Sequence, residues 1–216
     1  GYEYVAGEQM SRQFDEVLML QDLTDFLRSK YSELSEFEIT KIVNKIKHTP
    51  SNPLYKSNRD LFYLVNEGFD LIRDDASEAA IHIDLIDFDN PDNNIFKVVN
   101  QYTVIGDRER RPDMLVFING IPLAIFEFKT AIKENVTIYD AWKQVNIRYN
   151  RDIPNLMKYC FLSVLSDGAN TRMGSIFTPY EYYYSWNKVN DEEKVSNGIP
   201  ALKTLIDGAF AKDRLI

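Results

Sequence analysis

The stretch that decides the fold is residues 112–129, which read PDMLVFINGIPLAIFEFK. Asn-Gly at positions 119 and 120 is the strongest two-residue signal for a β-hairpin, because both residues tolerate the positive φ of a type I′ turn. The apolar residues on either side predict one strand over 114–118 and a second over 121–129. The second run is apolar enough to be a buried central strand.

Three charged residues of this hairpin, Asp113, Glu127 and Lys129, stand where a charge is costly to bury. Side chains two positions apart share one face of a strand, so Glu127 and Lys129 point to one side and Phe128 to the other. A two-residue turn pairs positions whose numbers sum to about 239, which sets Asp113 opposite residue 126 and within one position of Glu127. Adjacent carboxylates repel one another unless they are protonated or bridged, and Mg²⁺ is a suitable bridge. For the hairpin alone, an exposed cross-strand ion pair is the alternative.

Outward from the hairpin, helical and strand periodicities alternate and predict an α/β fold, with a mixed central β-sheet flanked by helices. On the N-terminal side we expect helices over 14–27, from the Ser35/Glu38 capping box to His48, and over 60–66, then strands over 81–88 and 95–105. On the C-terminal side we expect a helix over 137–150, strands over 159–165 and within 175–184, a charged loop over 187–197 and a last helix over 201–210. The four strands from 81 to 129 are expected to form one sheet in sequence order.

The composition bounds the class of protein. The 216 residues carry 25 Lys plus Arg and 33 Asp plus Glu, a formal charge of −8, which argues against nucleic-acid binding by bulk charge alone. A hydrophobic content of 44% is enough for a real core. A single cysteine, Cys160, excludes an internal disulfide and favours a reducing, cytoplasmic compartment. No apolar run approaches the roughly 18 residues of a membrane span, so no membrane partner is expected.

The organisation along the chain predicts a single domain over 1–216. Within it we expect a helical N-terminal part over 1–79, a catalytic α/β core over 80–186, and a charged loop with a C-terminal helix over 187–216. The first residue is Gly1 and not Met, which favours a piece of a longer polypeptide. No G-x-x-x-x-G-K-[ST] loop occurs, so we expect no ATP binding by these residues.

The hairpin and the residues around it resemble one known family. Pro112-Asp113 followed by Glu127-Phe128-Lys129 matches the Pro-Asp…(Asp/Glu)-x-Lys signature of a large nuclease superfamily. The surrounding sequence segments resemble the N-terminal endonuclease region of the restriction (R) subunit of Type I restriction-modification enzymes, in order along the whole chain. These segments are Asn100-Gln-Tyr-Thr-Val104, Arg111-Pro-Asp113, Phe117-Ile-Asn-Gly-Ile-Pro-Leu123, Ser166-Asp-Gly168 and Gly174-Ser175. The resemblance implies a restriction-endonuclease-like core.

The resemblance also implies a function, that of a Mg²⁺-dependent endonuclease domain, with Mn²⁺ able to substitute. Such a domain hydrolyses DNA phosphodiester bonds non-specifically after ATP-driven translocation by the rest of the enzyme. By this analogy Asp113 and Glu127 are metal ligands, the Phe128 main-chain carbonyl is a third, and Lys129 assists the hydrolytic water. The implied partners are double-stranded DNA, the methyltransferase and specificity subunits, and a helicase-like motor domain in the same full-length chain. ATP is then used by the full-length subunit and not bound here.

The family also carries Gln-x-x-x-Tyr on the helix after the hairpin, and this chain departs from that spacing by one residue. Gln144 is followed by Arg148 at i+4 and by Tyr149 at i+5. On an α-helix i+4 lies about 40° from Gln144, whereas i+5 lies about 140° away. We therefore expect Gln144 in the catalytic set and Arg148 and Tyr149 as DNA contacts, with Arg148 better placed than Tyr149.

Two alternatives stay open, the first of them of a different class. The chain could be a nuclease-like module that no longer cuts and serves as a DNA-binding or docking element. The presence of Lys129 at the catalytic position argues against such a loss of activity. It could also be a stand-alone, structure-specific nuclease, which would cleave DNA without ATP.

Overall fold

The computed structural model describes residues 1–129, 137–168, 170–186, 188–189 and 199–216. The charged loop predicted over 187–197 therefore lies, apart from residues 188 and 189, outside the described residues. The described strands are β1 (Glu3–Ala6), β2 (Phe69–Leu71), β3 (Ile81–Ile83), β4 (Phe96–Asn100), β5 (Val104–Ile105), β6 (Glu109–Arg110), β7 (Met114–Ile118), β8 (Ile121–Phe128), β9 (Leu162–Ser166) and β10 (Thr171–Ser175). The described helices are α1 (Leu20–Lys30), α2 (Glu36–Lys47), α3 (Leu54–Glu67), α4 (Ile138–Lys143), α5 (Asn150–Asp152), α6 (Pro154–Met157), α7 (Ile199–Ala209) and α8 (Lys212–Leu215). A π-helical turn, Gln144–Tyr149, joins α4 to α5.

A mixed sheet forms the centre of the described structure, in the order β1-β4-β7-β8-β9-β10. The pairs β1/β4 and β8/β9 are parallel, and the pairs β4/β7, β7/β8 and β9/β10 are antiparallel. Helices flank this sheet, so the predicted α/β class with a mixed central sheet is confirmed. The pairs β2/β3 and β5/β6 form separate two-stranded ribbons.

The predicted hairpin, β7 with β8, lies in the middle of the sheet. All residues from Ile121 to Glu127 are buried, because β8 lies between two strands and is covered on both faces. Asn119 and Gly120 have φ of 48° and 78°, as a type I′ turn requires. The buried Asn119 amide donates to the Leu85 carbonyl at 2.9 Å and accepts from the Ile95 N–H at 2.8 Å, which fastens the turn to the preceding chain.

Alternate residues of β8 serve the two faces of the sheet, as strand geometry dictates. Ile125 belongs to the larger core, which is shared with residues of α1, α2 and α3. Phe126 points to the other face and packs against Phe210, which directly follows α7, with ring centroids 5.0 Å apart. Glu127 has the parity of Ile125, so its side chain faces the same side of the sheet as the larger core.

The strand predicted over 81–88 does not join the central sheet. Its extended part is β3, which pairs with β2. The position beside β4 is taken instead by β1, whose Glu3 pairs with Lys97. The expected sheet of four consecutive strands is therefore wrong at its first strand, since a parallel pairing so distant in sequence leaves no local pattern. The N-terminal part, predicted as helical, thus supplies an edge strand as well as α1, α2 and α3.

The predicted helices form, with shifted ends. The capping box of α2 is confirmed, because Ser35 and Glu38 each accept from the other's backbone N–H. The first helix begins at Leu20 and not at residue 14, since the Arg12 guanidinium donates to the carbonyls of Gln13 and Glu16 and shapes the preceding segment as a loop. The strand expected within 175–184 lies earlier in the chain, because β10 ends at Ser175, the first residue of that range.

Among the described helices, none combines the length and the apolar character needed to cross a membrane.

Candidate active site

A β-bulge in the central hairpin brings the two candidate metal ligands level. Val116 pairs with Ala124 and the next residue, Phe117, pairs with Pro122, so Leu123 has no cross-strand partner. Beyond this bulge the pairing sum differs by one from the expected 239, since Met114 pairs with Phe126. Continuing this register places Asp113 level with Glu127, one residue from its predicted position opposite residue 126 and within the one position of Glu127 that was expected.

Asp113 is tied to the adjacent strand through its carboxylate. Its Oδ2 accepts a 2.7 Å hydrogen bond from the backbone N–H of Phe128. Its Oδ1 accepts a 3.3 Å hydrogen bond from the side-chain amide of Gln101. The carboxylate is partly buried, and these two neutral donors fix its orientation at the start of β7.

Glu127 is a nearly inaccessible carboxylate, with 2% of its surface exposed. Its Oε1 accepts from the Lys129 Nζ at 2.7 Å, and its Oε2 accepts from the Tyr149 hydroxyl at 2.9 Å. Burial raises the pKa of Glu127 to about 7, and the neighbouring Asp113 adds to that effect, while the contacts with Lys129 and Tyr149 oppose it. Two close acidic groups, one of them desolvated, form a site that a cation would stabilise.

Gln144 closes a ring of polar side chains around Glu127. Its Oε1 accepts from the Lys129 Nζ at 2.7 Å, and its Nε2 donates to the Tyr149 hydroxyl at 2.7 Å. We call this set, Glu127, Lys129, Gln144 and Tyr149, the polar ring. The structure therefore brings together Glu127 and Lys129 of the hairpin and two of the three predicted residues of the following helix, Gln144 and Tyr149.

The π-helical turn explains how Tyr149 reaches this ring. The helix begins with a capping box at Thr137 and Asp140 and changes to π geometry at Gln144. In a π turn the backbone closes over five residues instead of four, so positions i and i+5 lie on the same side. The expectation that Tyr149 points about 140° away from Gln144 is wrong, because it assumed a regular α-helix. Burial and the adjacent Glu127 raise the pKa of the Tyr149 phenol, which stays protonated as a donor.

Arg148 lies on a cleft that adjoins the polar ring. This cleft has a volume of about 380 Å³ and is lined by Glu109, Arg110, Arg111, Gln144, Arg148 and Tyr149. Arg110 is committed to the buried Asp152, to which its Nε donates at 2.8 Å, whereas Arg148 and Arg111 are exposed. The placement of Arg148 as a DNA contact stays a prediction.

The donor set suits a hydrated divalent ion. Asp113, Glu127 and the Phe128 carbonyl offer hard oxygen atoms. No cluster of three or more His, Cys, Asp or Glu residues arranged to hold a metal occurs in the described part of the chain. A site with two carboxylates fits Mg²⁺, which keeps several water ligands, better than an ion that needs an all-protein cage.

Gln101 is the site residue that sequence reasoning missed. It belongs to the segment Asn100-Gln-Tyr-Thr-Val104, which contributed to the family resemblance but was assigned no role in the site. Its contact with Asp113 joins the end of β4 to the start of β7, and periodicity within one strand does not predict such a contact. The segment 100–104 can be recognised as adjacent to Asp113 only once the β4/β7 pairing is known.

Comparisons with known proteins point to one family. A family model described as the N terminus of the Type I restriction enzyme R protein matches residues 1–182. Over its whole length the chain is 30% identical to a Methanocaldococcus jannaschii protein provisionally named as the type I restriction enzyme MjaIXP endonuclease subunit. Over 93% of its length it is 25% identical to the type I restriction enzyme HindI endonuclease subunit of Haemophilus influenzae. The chain spans 23% and 19% of the lengths of these two relatives.

Proposed function

The chain belongs to the family of Type I restriction enzyme R protein N-terminal domains, and from this premise we propose that it is the Mg²⁺-dependent endonuclease part of such an enzyme. The proposed reaction is hydrolysis of phosphodiester bonds in double-stranded DNA at positions not fixed by sequence. Methyltransferase and specificity subunits would supply target recognition. ATP-driven translocation would come from the remainder of a longer polypeptide, since the chain covers less than a quarter of its relatives.

One observation carries the proposal, namely the convergence of Asp113 with the polar ring at one end of the central hairpin. Lys129 contacts Glu127 and Gln144 at 2.7 Å each, and Tyr149 contacts Glu127 at 2.9 Å. A solvated ion pair at a sheet edge would not bury Glu127 or enclose it in side-chain donors. The arrangement has the features of a preorganised site, with neighbouring carboxylates, a cation and fixed dipoles.

The chemistry divides among these residues. Asp113, Glu127 and the Phe128 carbonyl would hold the divalent ion, which supplies polarisation of a phosphodiester oxygen and a lower pKa for the attacking water. The Lys129 ammonium would orient that water or neutralise the charge that develops on the phosphoryl oxygens. Gln144 and Tyr149 hold Lys129 and Glu127 in place, so that neither side chain has to reorient when the substrate arrives.

We propose that DNA approaches the reacting groups along the cleft beside the polar ring. Gln144 and Tyr149 line both the cleft and the ring. The exposed guanidinium groups of Arg148 and Arg111 can contact backbone phosphates, which fixes the position of DNA without reading its sequence. Non-specific cleavage is the behaviour that such contacts favour.

The test is DNA cleavage by the complete R subunit assembled with its partner subunits, ATP and Mg²⁺. Substitution of Asp113, Glu127 or Lys129 by Ala should lower double-strand cleavage on the order of 100-fold or more, because each change removes a proposed metal ligand or the Lys129 ammonium. Asp107→Ala is the matched control, since Asp107 is an exposed aspartate in the same region, and it should cleave like the wild type. Cleavage retained in the three site variants would overturn the proposal.

Metal binding and the ATP requirement of the same assembled enzyme distinguish our proposal from the two alternatives. A docking module that no longer cuts predicts no cleavage and no calorimetric signal when Mn²⁺ or Mg²⁺ is added. Our proposal expects the wild type to bind Mn²⁺ and the Asp113→Ala variant not to bind it. Cleavage that proceeds without ATP would instead favour a stand-alone nuclease.

A further inference from the structure

Gln101, directly after β4, has a backbone conformation that non-glycine residues rarely adopt. Its φ is 49°, in the left-handed region, where the side chain of an L-residue crowds the backbone. Such strain persists only where the surroundings impose it, and it tends to occur at functional sites. Asn119 is the other described non-glycine residue with positive φ, and its hairpin turn requires that conformation.

The surroundings of Gln101 hold this conformation from two sides. Its backbone N–H donates to the Asp113 carbonyl at 2.9 Å, and the following Tyr102 N–H donates to the Pro112 carbonyl at 3.3 Å. Gly7 lies so close to the backbone of Asn100 and Gln101 that a Cβ at position 7 would collide with the Asn100 carbonyl oxygen. The turn therefore follows the backbone of the Pro112-Asp113 motif and directs the Gln101 amide toward the Asp113 carboxylate.

We propose that Gln101 is a positioning residue for Asp113, which it orients for binding of the catalytic metal ion. This inference rests on the proposed function. The Gln101 Nε2 donates to Oδ1 of Asp113 at 3.3 Å, while the Phe128 N–H donates to Oδ2 at 2.7 Å. Each oxygen of the carboxylate thus has one donor in the described structure, and the two donors together fix its plane.

The chemistry of the amide suits this role. A neutral donor orients a carboxylate, yet brings no positive charge that would compete with a cation for the same oxygen atoms. A carboxylate oxygen has two lone pairs, so Oδ1 can accept this 3.3 Å hydrogen bond and still bind an ion. Outer partners of ligating carboxylates typically contribute 10- to 100-fold to metal affinity or activity.

The test uses opposite effects on stability and on metal affinity. In the full chain, Gln101→Gly removes the amide and also the side chain that disfavours positive φ. The melting temperature without metal should stay equal or rise by a few degrees, while Mn²⁺ affinity measured by calorimetry should fall about 10-fold or more. Gln101→Asn is the second variant, because Asn tolerates the left-handed region but its shorter amide cannot reach as far. It should keep the melting temperature and also bind Mn²⁺ more weakly.

Gln13→Gly is the control, because Gln13 is an exposed loop glutamine without a role in the site, and its Mn²⁺ affinity should equal that of the wild type. Wild-type Mn²⁺ affinity in both Gln101 variants would overturn the inference. The inference would also be overturned if both variants lost melting temperature together with Mn²⁺ affinity, since that result describes a purely structural residue. If the wild type itself bound no Mn²⁺, the proposed function would fail first, and the two failures are thus distinguishable.

Discussion

Two glutamates of this protein show how surroundings decide the behaviour of the same buried group. Glu38 and Glu127 are 1% and 2% exposed. Glu38 accepts from the Arg73 guanidinium and from the backbone N–H groups of Ser35 and Asp74, and these donors lower its pKa to about 2. Glu127 has one ammonium and one phenol as donors, lies beside Asp113, and has its pKa raised to about 7 by burial. Glu38 therefore stabilises the fold as an anion, whereas Glu127 is left with an unfavourable charge that a metal ion would relieve.

The depressed pKa of Glu38 predicts a pH-dependent contribution to stability. Its folded-state value of about 2 lies below the usual 4.5, so the stabilisation is fully present above pH 4.5 and is lost as the pH falls toward 2. Glu38→Gln should lower the urea midpoint at pH 7, and the difference from the wild type should shrink as the pH falls from 5 to 3. Glu33→Gln, at an exposed position of the preceding turn, should shift the midpoint far less. A Glu38→Gln difference that does not change with pH would contradict this account.

At the scale of elements, the parts that local chemistry governs could be predicted from the sequence. Asn119-Gly120 predicted the hairpin, and the Ser35/Glu38 pair predicted the start of α2, because turns and caps depend on neighbouring residues. β1 could not be placed beside β4, nor β3 away from it, because those pairings depend on distant contacts. The motif identified the hairpin residues, and strand periodicity placed Lys129 beside Glu127, whereas the contacts of Gln101, Gln144 and Tyr149 were not predicted.

Two one-residue irregularities account for the site geometry that periodicity missed. The bulge at Leu123 brings Asp113 level with Glu127, and the π turn brings Tyr149 to Gln144. Each inserts one residue into a regular element, and each is invisible to a rule that assumes a constant period. Such local departures are common beside active sites, where a side chain has to be redirected.

The π turn predicts an outcome for shortening the helix. Deletion of Ile147, which is 50% exposed, restores four-residue spacing between the Gln and Tyr and should leave their contact within an ordinary α-helix. We expect this variant to keep DNA cleavage within about 10-fold of the wild type in the assembled enzyme, whereas Tyr149→Phe should lose about 10- to 100-fold. Circular dichroism would verify that the shortened helix forms. If the deletion variant folds but cleaves no better than Tyr149→Phe, the π turn has a role beyond placing the Tyr.

For the whole molecule, the net charge of −8 conceals an uneven distribution. Residues 107–172 carry ten Lys plus Arg and eight Asp plus Glu, so the candidate hairpin and the following helix form the basic part of an acidic protein. Under the proposed function we therefore expect weak intrinsic affinity for DNA, with other parts of a longer enzyme holding the substrate.

Arg148 provides a direct measure of this weak binding. Arg148→Gln should weaken binding of double-stranded DNA similarly for all sequences and reduce the slope of log K against log salt concentration by about 1, because one phosphate contact is lost. Fluorescence anisotropy over a series of salt concentrations measures both quantities. Arg59→Gln, an exposed change on α3 away from the cleft, should leave the slope unchanged. An unchanged slope for Arg148→Gln would remove Arg148 from the DNA-contact surface.

The most direct measurement of the central claim compares two activities in one reaction. The assembled enzyme with Glu127→Gln, in ATP and Mg²⁺, is assayed for ATP hydrolysis and for double-strand cleavage. The substitution keeps the size of the side chain but removes the charge that would hold the ion, so ATP hydrolysis should match the wild type while cleavage falls by about two orders of magnitude. Cleavage at the wild-type rate by this variant would contradict the assignment of the site.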